Sequence, residues 1–390
     1  MRTVGVVTVG RSDYGHYLPL LRRIGETDGL RLHLIVAGSH LAPEFGSTVT
    51  MIEADGFEVA DRIEMLLSSD TPHGIAKSMG LGVMGFAESF ARAPRPDVLV
   101  LLGDRFEMHA AALAALPFKI PVAHIHGGEI TRGAIDDALR HSMTKLSHLH
   151  FVATEEYARR VIQLGEEPWR VLVTGGIGLD NVRSVPLLER PELETAVGLS
   201  LDEPTLLVTF HPVTLEFEEA EWQTGELLSA LGTADLPVVF TAPNADTGGR
   251  SVRALIEAFV QSTPRSTLVE SLGTRAFFSM MSVAAAMVGN SSSGIIEAPS
   301  FGLPVVNIGT RQEGRTRAAN VIDVGYRREE ILDGVRRALD PSFRQSLRDM
   351  ANPYDAGGAA ELIVDRLASI DLDRALVTKR FHDVDPDGGS

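Results

Sequence analysis

Two α/β domains, each built on a parallel sheet covered by helices, are predicted for this 390-residue chain. Three observations predict them. Short β-branched runs alternate with stretches whose apolar residues recur at helical spacing, and the alternation runs through both halves. Several runs are apolar on both faces, as strands covered on each side must be. Between Gly175 and Leu201 the pattern thins into turns and short charged segments, in a chain longer than one hydrophobic core usually serves.

Taken in order, the strands expected in the first half are Thr3–Thr8, Leu32–Val36, Asp97–Leu102, Val122–His126, Leu149–Ala153 and Arg170–Thr174. Helical spacing covers Tyr17–Glu26, Ser47–Ala54, Gly74–Arg92, Phe106–Ala115, Ile135–Lys145 and Glu155–Gln163. In the second half strands are expected at Leu206–Phe210, Val238–Thr241, Ser266–Glu270, Ala286–Gly289, Val305–Asn307 and Asn320–Val324. The helices there are Glu218–Leu231, Val252–Ser262, Phe277–Ala285, Gly294–Ser300, Glu329–Leu339 and Ala359–Ser369, before a polar, frayed tail from Thr378. Two such domains predict a cleft, with functional groups on the loops that come after the strand C-termini.

Composition narrows the partners. With 36 basic against 52 acidic residues, the net charge is −16. Such a field repels nucleic acid and anionic lipid, so an anionic substrate needs concentrated Arg or helix N-termini. The chain has no Cys, which excludes disulfides, thiolate catalysis and Cys-ligated zinc. MRTVGVVTVG reads as a first strand and not a signal peptide, and no apolar window reaches the length of a membrane span. A soluble cytoplasmic protein is the expectation.

Four stretches carry candidate chemistry. In TVGRSDYGHYLPLL, residues 8–21, the chain leaves the first strand through Gly10, and Ser12 or Asp13 is placed to cap the next segment. Arg11 then sits at the sheet's C-terminal edge, where its fork suits a phosphate or a pair of sugar oxygens. In LVLLGDRFEMHAAALAAL, Asp104 lands at the strand rim, either capping the next helix or joining other acids nearby. In HIHGGEITRGAIDDALRH, residues 124–141, Glu129 comes after a glycine turn, and Asp136 and Arg140 share a helix face. The helix dipole should lower the Asp136 pKa and make it a base, whereas a narrow cleft would raise Glu129. Solvated salt pairs explain that spacing too. Zinc is the weaker alternative, because His124, His126 and Glu129 on alternate strand positions before a glycine turn do not fix three ligands. His211, in TFHPVT, ends the second domain's first strand and can serve a phosphate or a sugar hydroxyl. The fourth stretch, VGNSSSGIIEAPSFGLPVVNIGTRQEGRTR, puts three Ser and a Gly before a short helix, an arrangement that cradles phosphate without Lys. Glu297 can accept from two ribose hydroxyls, and Arg311, Arg315 and Arg317 add a basic loop.

The segments GDRFE, HIHGGEITRGAIDDALRHSMTKLSHLHF, FHPVT and GNSSSGIIEAPSFGLPVVNIGTRQEGR together resemble the UDP-N-acetylglucosamine 2-epimerases, most of all the hydrolysing branch of sialic and nonulosonic acid biosynthesis. The resemblance runs in order from about residue 3 to 370. It implies a GT-B arrangement of two Rossmann-like domains facing across a cleft, over about 1–180 and 186–365, with a C-terminal helix at about 366–380 returning to the first. It also implies a homodimer, a nucleotide-sugar substrate, no cofactor and no metal.

Carried over by position, Arg11 matches a contact near the diphosphate, and Arg140 and His211 match groups near the phosphates and sugar. Asp104 and Asp136 fall in the acid–base region as candidate bases, with Glu129 as acid or water activator and His211 beside them as a further catalytic candidate. Ser291, Ser292, Ser293 and Gly294 match the phosphate cradle, Glu297 the ribose contact, and Gly309, Arg311 and Gln312 the loop that closes the nucleotide site. The non-hydrolysing relatives have a carboxylate where this chain has His126, which favours the hydrolysing branch. The implied reaction takes UDP-N-acetylglucosamine and water to N-acetylmannosamine and UDP, by anti elimination to a glucal and its hydration. Alternatives are the same chemistry on UDP- or GDP-N,N'-diacetylbacillosamine, a GT-B glycosyltransferase, and a non-catalytic nucleotide-sugar binding protein.

Overall fold

The computed structural model describes every residue except 44–45, 70, 132–134, 214–215, 243–248 and 385–390, so the end of the expected frayed tail lies outside the described residues. The chain divides into two compact units. One comprises 1–129, 135–181 and 354–390, the other 130–134 and 182–353.

In the first unit, strand β1 (Arg2–Thr8) leads into α1 (Arg11–Glu26), then β2 (Leu30–Ala37), α2 (Val49–Ala54), β3 (Val59–Ile63) and α3 (Pro72–Ala91). Then come β4 (Val98–Leu102), α4 (Phe106–Ala115), β5 (Val122–Ile125), α5 (Ile135–Leu146), β6 (Leu149–Val152), α6 (Glu155–Gln163) and β7 (Val171–Val173). The strands form one seven-stranded sheet in the order β3-β2-β1-β4-β5-β6-β7, every pairing parallel. Val98 to Leu101 and Val122 to Ile125 bury every side chain, because helices cover both faces. The strand order reverses between β1 and β4, so the segments after these two strands flank the crevice in which open α/β sheets hold ligands. Arg11 comes after one strand and Asp104 after the other.

After α7 (Leu179–Ser184) and α8 (Arg190–Val197), the second unit repeats the scheme. Its elements are β8 (Leu206–Thr209), α9 (Ala220–Ala234), β9 (Val238–Thr241), α10 (Gly249–Ser262), β10 (Ser266–Val269), α11 (Gly273–Val283) and β11 (Ala286–Gly289). They continue with α12 (Ser293–Ile296), β12 (Val305–Ile308), β13 (Val321–Val324), α13 (Arg328–Leu339) and α14 (Pro341–Ser346). The sheet runs β10-β9-β8-β11-β12-β13, again parallel, and reverses between β8 and β11. Leu206 and Val208 face one core and Leu207 the other, the alternation a covered strand imposes. His211 and Ser291 to Ser293 lie just past the two strands at this reversal.

The structure differs from the sequence expectation in several places. The edge strand β3, VADRI, has the charged pair Asp61 and Arg62 at its centre and no apolar run to announce it. The thin segment before Leu201 contains α8, started by Pro191 and stopped at Gly198 in a left-handed conformation. The return to the first unit begins at Tyr354 and not near residue 366. Helix α15 (Ala359–Ser369) starts where the Asp180 carboxylate accepts the N–H groups of Ala359 at 3.1 Å and Ala360 at 2.6 Å. Its Ile363, Val364 and Leu367 are fully buried in the first unit's core. The helix expected to reach residue 380 ends at Ser369, and only the short α16 (Arg374–Val377) comes after it.

Candidate active site

In the first unit, the segments after β4 and β5 each bring an acid to one arginine of α5. Gly103, at φ +77°, turns the chain out of β4 and sets Asp104 at the rim. The α4 N-cap is Arg105 and makes no side-chain cap, so Asp104 does not cap that helix. Its carboxylate instead accepts a hydrogen bond from Arg140 of α5. Arg140 also lies 3.5 Å from Glu129 and donates to the His126 carbonyl at 2.8 Å. With only 2% exposure, Arg140 is an internal clamp on two carboxylates, which corrects its expected place near the phosphates.

Asp136 overturns a second expectation. Its carboxyl is pushed up to about 6, first by burial and then by the neighbouring Asp104 charge, against the pull of Arg105 and Arg140. The helix N-terminus, worth less than ~1 kcal/mol, is too weak to reverse that. Asp136 therefore holds a proton more readily than an ordinary aspartate.

His126 sits at φ +65°, a left-handed conformation uncommon outside glycine. Its Nε2 accepts the Ile177 N–H at 3.3 Å, which leaves the ring proton on Nδ1, 3.1 Å from Glu129 Oε1. His16 of α1, which no sequence motif singles out, is electrostatically coupled to both His126 and Glu129 and is held neutral, lowered to about 4 by burial. His124 points elsewhere, its Nε2 within 2.7 Å of the Gly103 carbonyl. Among the described residues no group of three His, Asp or Glu side chains is placed to hold a metal ion.

Arg11 is the exposed first residue of α1, and neither Ser12 nor Asp13 caps it. Asp13 reaches back instead, accepting from Thr8 Oγ1 at 2.7 Å and the Val9 N–H at 2.8 Å. Burial raises this carboxyl to about 6.

In the second unit the serine turn comes directly after β11. The N–H groups of Ser291 and Ser292 and the hydroxyls of Ser292 and Ser293 make no hydrogen bond among the described residues, so an oxyanion would meet several unspent donors. The helix behind them is shorter than expected. Helix α12 covers four residues and a 3₁₀ turn, Ala298–Phe301, completes the stretch. Gly294 is required by packing, since a Cβ there would lie 2.8 Å from Val305. Glu297 is buried one turn further on.

Asn290, also without a sequence signal of its own, organises this half. Buried at 0% exposure, it accepts the His211 N–H at 2.8 Å and donates to the His211 carbonyl at 2.7 Å. Its own carbonyl accepts from Arg311 at 3.0 Å and Gln312 at 2.8 Å. Burial and the Arg311 charge lower the His211 imidazole to about 3, so it offers hydrogen bonds and no charge. Arg317 pairs with Asp323 at 2.9 Å and donates to the Arg315 carbonyl at 2.9 Å. The Gly309 backbone, at φ +70°, passes so close to Tyr326 that a Cβ would fall 2.0 Å from its ring.

Residues 22–368 match the family described as UDP-N-acetylglucosamine 2-epimerase. The chain belongs to that family. It is 38% identical over 346 residues to the hydrolysing GDP/UDP-N,N'-diacetylbacillosamine 2-epimerase of Campylobacter jejuni, covering 88% of this chain and 87% of that one. It is 37% identical over 380 residues to the hydrolysing UDP-N,N'-diacetylbacillosamine 2-epimerase of Legionella pneumophila, covering 97% and 99%. Its fold is similar to that of a UDP-GlcNAc 2-epimerase from Neisseria meningitidis solved with UDP-GlcNAc, with a TM-score of 0.79, 20% identity and coverage of 94% and 99%. The architecture is GT-B-like, with parallel sheets of seven and six strands. Among the described residues no helix is long and apolar enough to cross a membrane.

Proposed function

We propose that the chain is a hydrolysing nucleotide-sugar 2-epimerase whose sugar is N,N'-diacetylbacillosamine carried on UDP or GDP. The observation that carries this reading is the naming of two relatives, 38% and 37% identical along most of their lengths, for that sugar and for hydrolysis. N-acetylglucosamine, the default from the sequence, becomes the second reading, supported by the family's description.

The clamped carboxylates support the chemistry. In the α-linked sugar nucleotide the C1–O bond and the C2 hydrogen are both axial on opposite faces. A carboxylate removes the C2 proton, the C1–C2 double bond forms, and the C1–O bond breaks to release the nucleoside diphosphate. Water oxygen then adds at C1, and a proton enters C2 from the opposite face to give the manno configuration. Glu129 and Asp104, both drawn to Arg140, take the roles of base and water activator. Asp136, raised to about 6, returns the proton at C2. The serine turn, Arg11, Arg311 and His211 bind the diphosphate and meet its growing charge, and Glu297 takes the ribose.

Incubation in D2O with UDP- and GDP-N,N'-diacetylbacillosamine and UDP-N-acetylglucosamine, monitored by NMR, tests this. The expected products are the free 2-epimer carrying deuterium at C2 and the nucleoside diphosphate. Sugar transfer only in the presence of an acceptor would mark a glycosyltransferase, and no release of nucleotide from any of the three would mark a binding protein.

A further inference from the structure

Strand β11 lies between β8 and β12, so the serine turn has the segment after β8 on one side and the segment after β12 on the other. Asn290 binds both neighbours to this centre, His211 through its side chain and Arg311 and Gln312 through its carbonyl. A second knot joins the two outer segments to each other. It is Glu216, at the end of the segment after β8, to which neither the elimination nor the hydration gives a task.

The two carboxylate oxygens of Glu216 face different groups. Oε2 accepts from the Tyr326 hydroxyl at 2.7 Å and from the Gln223 amide at 3.0 Å. Gln223 is fully buried on α9 and Tyr326 packs against the second unit's core, so this oxygen is moored to rigid partners. Oε1 accepts from the Thr310 hydroxyl at 2.6 Å, in the segment after β12. The Tyr326 hydroxyl also accepts the Thr310 N–H at 3.2 Å, which the close pass of Gly309 over its ring allows. Burial acts to raise this half-buried carboxyl, but the bonds from Thr310, Tyr326 and Gln223 outweigh it and hold it below the ordinary glutamate value. The group therefore stays a carboxylate and keeps all three bonds at neutral pH.

Thr310 immediately precedes Arg311. A loop left loose there would have to be ordered by the ligand, at a cost in affinity. We propose that Glu216 is a positioning residue for the nucleoside diphosphate: it fixes Thr310, and so sets Arg311 beside the serine turn before the ligand arrives. The inference rests on the reading of the chain as a nucleotide-sugar enzyme that holds its diphosphate with these groups.

Calorimetry with UDP and with GDP tests it. E216Q keeps one acceptor oxygen and turns an amide N–H toward groups that themselves donate, so it cannot hold both sides. The Kd should rise about five- to tenfold for a nucleotide the wild type binds. A glutamate acting only as a nearby negative charge gives the opposite sign, since its removal would tighten an anion. T310V should reproduce the loss and T310S, which keeps the hydroxyl, should not; this pair makes the same comparison should E216Q unfold early. A double-variant cycle then separates aiming from general damage. R311A should weaken binding on its own, and E216Q/R311A should be no weaker than R311A, because nothing remains to be aimed. Unchanged or tighter binding in E216Q and T310V, or a second full loss on top of R311A, would overturn the proposal. Should the wild type bind neither nucleotide, the functional reading fails instead, and hydrogen exchange still reads the tether. The Thr310 amide should exchange faster in E216Q, and an unchanged rate there would overturn the role given to Glu216.

Discussion

Helix α5 has a carboxylate at its start, half-buried Asp136, and another beside its close, buried Glu166, and the two have opposite characters. At its start, Asp136 is raised to about 6 by burial and by Asp104. At its close, the fully buried Glu166 is lowered to about 2. Glu166 accepts from Lys145 at 2.6 Å, Lys379 at 2.7 Å and His150 at 2.9 Å. Burial opposes the charge at both ends, and the neighbours decide the outcome. One end surrounds its carboxylate with cations and fixes an anion. The other sets a second carboxylate beside it and makes a group poised to exchange a proton near neutral pH, where acid–base catalysts work best.

Four experiments sharpen or break this contrast. The largest effect belongs to the acids on the Arg140 clamp. D104N and E129Q should each lower kcat by about 10²–10⁴-fold while UDP affinity stays within about threefold. Turnover near wild type in either would remove that residue from the chemistry.

Next, E166Q should lose about 3 kcal/mol in denaturant titration, because two lysines are left facing a neutral amide. Glu166 falls from 4.5 to about 2 on folding, so its contribution is complete above pH 4.5 and disappears as pH drops through about 2. The gap between wild type and E166Q should therefore close in acid. If E166Q unfolds like wild type but loses turnover, the division into a structural end and a reactive end is wrong.

A third, smaller effect controls for general damage. S292A/E297A alters neither carboxylate and should weaken UDP binding about tenfold, or 1.4 kcal/mol, with the denaturation midpoint preserved. Unchanged UDP affinity would take the serine turn out of nucleotide binding.

The subtlest test is the pH profile. Asp136 loses its proton as pH rises past about 6, so kcat/KM should fall above that point. The limb should be missing in D136N, whose amide cannot titrate. A limb that persists in D136N would assign the proton to another group, with Asp13, also near 6, the first to test by D13N.

Much of this arrangement was legible in the sequence because strands buried on both faces must be apolar and ligand groups sit past their C-terminal ends. Arg11, Asp104, His211 and the serine turn were located that way. What the sequence hid depends on distant neighbours. Nothing local shows that Arg140 turns inward onto Asp104, 36 positions earlier, or that burial defeats the helix dipole at Asp136. Asn290 reads as part of a polar turn, although it holds the backbone of His211 from 79 positions away. Glu216 stands in plain view shortly past TFHPVT, but only the fold shows that it binds Thr310 and Tyr326.

The discontinuous make-up of the first unit has a consequence for biosynthesis. Tyr354 supplies a hydroxyl partner to Tyr157 at 2.8 Å, the Asp180 carboxylate waits for α15, and Arg170 donates to the Leu376 carbonyl at 2.8 Å. Lys379 donates to the carbonyls of Lys145 and Ser147, the last residues around the helix that carries Asp136 and Arg140. On the ribosome, therefore, the amino-terminal sheet emerges early yet waits unfinished through the translation of some 170 intervening residues, 182–353. A nascent chain stalled before Tyr354 would display an open hydrophobic seam to chaperones, and catalytic geometry would be among the last things the growing polypeptide acquires.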